Sequence, residues 1–83
     1  MNVVILTPEK EVFKGDATSV KVPSLGGEFE VLNNHAPVVS ALGSGNVRVL
    51  TGEGDRLVYH INSGFVKVLS NEVSILVQGL QEE

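Results

Sequence analysis

Few side chains in this sequence could move a proton, hold a metal or attack a carbonyl. The two histidines, His35 and His60, stand 25 positions apart with no carboxylate beside either at metal-ligand spacing. A catalytic zinc centre needs three protein ligands, and nothing here assembles them. Glu28 and Glu30 alternate in "GEFEVL" and so share one face of a strand, as a carboxylate pair would. Two solvated strand residues explain the same spacing with less. Serine and threonine are plentiful, but no G-x-S-x-G nucleophile elbow occurs. The "GSGN" at residues 43–46 lacks both the frame and the helix that would cradle a phosphate. The acid-rich "TGEGDR" at 51–56 reads as a hairpin turn and only weakly as a cation site. The inventory supports no enzymatic activity, no cofactor and no metal.

Those residues must be positioned by elements whose dominant period is two. "SVKVP" sets Val20 and Val22 on one face around Lys21, "NVRVL" sets Val47 and Val49 around Arg48, and "NEVSILVQ" aligns Val73, Ile75 and Val77. β-Branched residues at this period form half-buried strands. Turn signals recur at short intervals: Thr7–Pro8, Gly15–Asp16, Gly26–Gly27, Asn33–Asn34, Gly43–Ser44–Gly45, the 52–55 run, Asn62–Ser63–Gly64 and Ser70–Asn71. The pattern predicts strands near 2–7, 11–15, 18–23, 28–32, 38–42, 46–51, 56–61, 64–69 and 72–78, and no helix. Many short strands with closely spaced turns mean an all-β sandwich or barrel. The tail "QGLQEE" is polar and is expected to fray.

Length and charge narrow the function further. The 83 residues suffice for one domain, 1–83, with one core. A chain of this size buries roughly 60% of the surface its unfolded form exposes. No cysteine is present, so neither disulfides nor thiolate zinc sites contribute. The net charge is −4, and the basic residues Lys10, Lys14, Lys21, Arg48, Arg56 and Lys67 are scattered along the chain. No basic stripe is expected, which argues against a nucleic-acid partner. No apolar run approaches the length of a membrane-spanning helix, and the N-terminus lacks the basic flank of a signal peptide.

One irregularity points outward. Val3, Val4, Ile5 and Leu6 are consecutive, Phe65 and Leu69 oppose Val66 and Val68, and Leu57, Val58, Tyr59 and Ile61 leave little polar alternation. A free antiparallel sandwich shows polar residues on its outer faces. Part of the outer face here is apolar, which suits either a partner surface or a strand covered by its own domain.

The stretch "GEFEVLNNHAP", Gly27 to Pro37, gathers these features with others into a resemblance. Together with Phe13 and Gly15, the Val20-x-x-Pro23-x-x-x-Gly27 run, "GNVRV", "SGFVKV" and "VSILV", it resembles the N-terminal domain of the epsilon subunit of F-type ATP synthases. The likeness runs over essentially the whole chain. It implies a flattened sandwich of two antiparallel sheets, about eight to ten short strands, without chemistry of its own. It implies a place in the central rotor, fastened to the gamma subunit and seated on the c-ring, with the catalytic subunits of the head as a further candidate partner. The ring-facing loop of the family maps onto residues 24–30, with Gly26, Gly27, Glu28 and Glu30 as contacts and Glu28 at the acidic position. His35, Ala36 and Pro37 become a rigid corner of the interaction surface, since proline fixes its own φ and drives its neighbour extended. The helical hairpin that follows this domain in most of the family would begin where this sequence stops, so inhibition by that hairpin does not carry over. The lack of a leader suits a bacterial or plastid-encoded protein, peripheral on the cytoplasmic face of the inner membrane or the stromal face of the thylakoid. A lipoyl- or biotinyl-like carrier module is the competing expectation. It requires a modifiable lysine at a hairpin tip, where residues 52–55 offer none and Lys10 sits between two glutamates.

Overall fold

The computed structural model describes residues 1–82, and they form nine strands and no helix. The strands are β1 Asn2–Leu6, β2 Glu11–Ser24, β3 Gly27–Leu32, β4 Val38–Leu42, β5 Gly45–Thr51, β6 Arg56–Ile61, β7 Ser63–Leu69, β8 Glu72–Gln78 and β9 Gln81–Glu82. Hydrogen bonding orders them β1-β8-β7-β4-β2-β5-β6-β9, with β3 beside β2 and β1 also paired to β2. The long β2 belongs to both layers. Its first half pairs with β1, and its second half runs between β3 and β5. One layer is therefore β1, β8, β7 and β4, and the other is β3, β2, β5, β6 and β9. The all-β sandwich expected from the sequence is what forms.

Three details differ from expectation. The segments expected at 11–15 and 18–23 are one strand, because two bulges let β2 bend without breaking. Val12 is skipped in the pairing with β1, and Thr18 is skipped in the pairing with β5. Each bulge shifts the alternation, so Ala17 and Val20 both point inward although three positions separate them. Secondly, β1 and β8 pair in parallel, from Asn2 beside Glu72 to Leu6 beside Leu76, whereas every other pair is antiparallel. Thirdly, the expected frayed tail makes a short strand, as Gln81 and Glu82 pair with His60 and Tyr59.

The core is aliphatic and nearly all valine and isoleucine. Val3, Ile5, Val20, Val22, Val31, Val47, Val49, Ile61, Val66, Val68, Val73, Ile75 and Val77 are buried, and no polar or charged residue among those described is. These β-branched side chains hold few rotamers and pack well on pleated surfaces, so a small core loses little side-chain entropy in forming. Turn chemistry fixes the registers. The β7–β8 hairpin closes through Ser70 and Asn71, both at positive φ (51° and 63°). Two such residues make the turn whose twist matches that of the flanking strands.

Candidate docking surface

The outer face of the first layer carries an apolar row built by register. Leu6 lies beside Leu76, Leu76 beside Phe65, and Phe65 beside Ala41, crossing all four strands. Phe65 is 61% exposed and Leu76 54% exposed. Val39, at 71% exposure, and Leu69, at 49%, lie further along β4 and β7, set off from the row by the outward-facing Lys67. Leu6, Pro8, Ala41, Phe65 and Leu76 line a shallow groove of about 550 Å³ along this row. Alternation explains the layout: Val66, Val68, Val73, Ile75 and Val77 fill the core, and the positions between them face out. Polar residues would cost nothing at those outward positions, and Lys67 and Ser74 occupy two of them, so the apolar row beside them has the character of a docking surface.

The β2–β3 hairpin tip adjoins this face. The Leu25 N–H donates to the Ala41 carbonyl at 3.1 Å, and the Gly43 N–H donates to the Pro23 carbonyl at 2.8 Å. The tip is thereby tied to the end of β4, and Leu25, 73% exposed, prolongs the apolar surface. Gly26, Gly27 and Glu28 are all exposed around it. Gly27 sits at φ 123°, a conformation that a side chain would strain. Glu28 lies across from Pro23, and Glu30 accepts a hydrogen bond from the Ser19 hydroxyl at 2.5 Å. Both carboxylates face outward from β3, each in its own surroundings rather than as a working pair.

The corner at residues 33–37 joins β3 to β4 and so crosses between the layers. Asn34 takes φ 63°, and its N–H donates to the Asn71 side chain at 2.9 Å. The His35 N–H closes the turn on the Leu32 carbonyl at 3.1 Å. The imidazole donates from Nδ1 to the Ala36 carbonyl at 2.7 Å and stacks on Phe29, with ring centroids 6.3 Å apart. Since β3 pairs only with β2, its other edge is open, and His35 closes the sandwich there over the half-buried Phe29. His60, in β6, donates from Nδ1 to Asn46 Oδ1 at 3.1 Å. The two histidines thus have separate partners. Among the described residues no three His, Asp or Glu side chains gather as metal ligands.

Register also collects what the sequence scatters. On the outer face of the second layer Lys21 lies beside Arg48, and Arg56 lies beside Leu50, two positions from Arg48. The expectation that no basic stripe forms is therefore corrected. Three of the chain's six basic residues share one shallow depression with Glu30, Leu50 and Val58. Cross-strand pairing was invisible along the chain, and the alternation of Arg48 and Lys21 between core valines was its only signal.

Comparison with known proteins places this geometry. Residues 1–83 match the family described as ATP synthase, Delta/Epsilon chain, beta-sandwich domain. The ATP synthase epsilon chain of Leptospira borgpetersenii is 41% identical over 92% of this chain and 59% of its own length. That of Salinibacter ruber is 33% identical over 98% of this chain and 60% of its own. That of Chlorobium limicola is 38% identical over 89% of this chain and 84% of its own. The chain thus spans little more than half the length of the first two relatives and most of the third. A chain of the Euglena gracilis mitochondrial ATP synthase, solved with its OSCP, F1 and c-ring, superimposes with a TM-score of 0.89 at 22% identity, covering 96% of this chain and 51% of that one. A chain from the central stalk and c-ring of the Tetrahymena thermophila enzyme gives a TM-score of 0.78 at 19% identity, over 96% of this chain and 64% of that one.

Proposed function

This chain belongs to the ATP synthase delta/epsilon β-sandwich family, and from that premise we propose that it is a non-catalytic part of the rotor in a proton-driven ATP synthase. In this reading it fastens the gamma subunit to the c-ring, and the observation that carries it is the apolar row Leu6–Leu76–Phe65–Ala41 on an outer sheet face. Gamma covers that row. The ring contact is the adjoining tip, with Gly26, Gly27, Glu28 and Glu30 presented beside Leu25. Backbone hydrogen bonds to β4 hold the tip in fixed relation to the apolar face, so a torque received at one is delivered at the other. Close-packed interiors transmit strain rather than absorb it, which suits a part that must turn as a unit.

His35, Ala36 and Pro37 act structurally in this scheme, closing the open β3 edge and fixing where the chain leaves for β4. The protein meets the membrane through the complex, on the cytoplasmic or stromal side. None of the described residues forms a helix that could cross a membrane. A reconstitution tests the proposal: the chain is returned to ATP synthase stripped of its epsilon subunit, and ATP-driven proton pumping is followed. Restored pumping by the native chain, with none by a folded Phe65→Ser/Leu76→Ser variant, is the expected result. Equal pumping by both would remove the apolar row from the function.

A further inference from the structure

The basic depression on the second layer lies away from the apolar row, and of its lining only Glu30 belongs to the rotor contacts proposed above. Lys21 and Arg48 are directly opposed across the β2–β5 pair, and Arg56 follows on β6. Like charges placed opposite each other destabilise a sheet. One carboxylate, Glu30, lines the same depression. Glu30 lies across from Lys21 in register but accepts from Ser19 at 2.5 Å. Among the described residues the one ion pair within 4 Å joins the N-terminal ammonium to Asp16. All three cations are exposed, in a chain whose net charge is −4. Carboxylates outnumber cations in the chain, yet among the described residues none lies within 4 Å of these three, and Glu30 alone lines the depression with them. Half-buried Leu50 and Val58 alternate with the cations on the same face.

We propose that the face formed by Lys21, Arg48 and Arg56 docks a carboxylate-rich segment of a partner protein. Two guanidinium forks match carboxylates in bidentate geometry, and Leu50 and Val58 accept the aliphatic stems between them. The chemistry favours a peptide over a nucleic acid. Three cations are too few to neutralise the long run of phosphates in a nucleic acid, whereas two or three carboxylates match them. The site differs from the apolar row in its dependence on salt, because exposed charge pairs are screened.

A fluorescein-labelled glutamate- and leucine-containing peptide, followed by anisotropy against the whole chain, tests this. Saturable binding at low salt is expected, weakening by about tenfold at physiological ionic strength. Arg48→Gln/Arg56→Gln should weaken it by a further factor of roughly ten, with unchanged thermal unfolding because both positions are exposed. Amide shifts should centre on β2, β5 and β6, and the Phe65→Ser/Leu76→Ser variant should bind the peptide like the native chain. Failure to saturate, or equal affinity in the arginine variant, would overturn the proposal. Displacement of the peptide by inorganic polyphosphate at equal or lower concentration would also overturn it, since the face would then be reading phosphate. Gamma binding measured on the same arginine variant separates this outcome from failure of the rotor assignment.

Discussion

Glu28 is a charged residue at the proposed ring contact. It is exposed on β3 across from Pro23, beside a hairpin tip pinned to β4. An exposed ion pair to a basic loop on the ring would contribute only about 0–1 kcal/mol. Its reversal by Glu28→Lys should therefore leave the thermal unfolding of the isolated chain within about 0.5 kcal/mol of native. The same change should reduce coupled proton pumping in the assembled enzyme, and pumping at the native level would displace the ring contact from this tip. The neighbouring histidine was legible as a structural corner, because proline two positions on restricts the backbone. Its contact with Phe29 was not legible, since it arises only when the chain crosses from one layer to the other. The basic cluster escaped for a related reason: Lys21, Arg48 and Arg56 are far apart in sequence and become neighbours through register alone.

At the scale of elements, hairpin chemistry sets the registers, and two positions expose that control. Ser70 holds φ 51°, where a side chain costs roughly 1–2 kcal/mol. Ser70→Gly removes that strain but gives the unfolded chain more freedom, so a net gain of about 0.5 kcal/mol is expected from chemical denaturation. Gly64 faces the core from β7, where an added Cβ would meet the backbone carbonyl of Leu76. Backbone cannot swing aside as a side chain can. Gly64→Ala should cost about 1–3 kcal/mol, read as a lower denaturation midpoint with the slope unchanged. Most strands could be read from alternation because one face of each is buried. The merged β2 could not, because Val12 and Thr18 are bulged and interrupt the period where the strand turns between layers. The parallel β1–β8 pair was hidden too, since alternation carries no information on strand direction.

For the whole molecule, one structural division organises the rest. The outside of the first layer carries an apolar row beside Lys67 and Ser74, the outside of the second carries Lys21, Arg48 and Arg56 beside Leu50 and Val58, and a valine-rich core joins them. The double-sided apolar character of β1 and β7 suited either a partner surface or strands covered by their own domain; the structure shows Leu6, Leu76, Phe65 and Ala41 lined up as a row on the outer face, with the β2–β3 tip beside it. In the proposed reading such a molecule is a rigid connector, with its specificity carried by what each face presents. The most direct measurement is a calorimetric titration of this chain against purified gamma subunit from the same source, at several temperatures. Saturable one-to-one binding with a negative ΔCp is predicted, because apolar surface leaves water. Phe65→Ser/Leu76→Ser should weaken it by at least about tenfold. Absence of binding, or an affinity unmoved by that variant, would contradict the assignment of the apolar face to gamma.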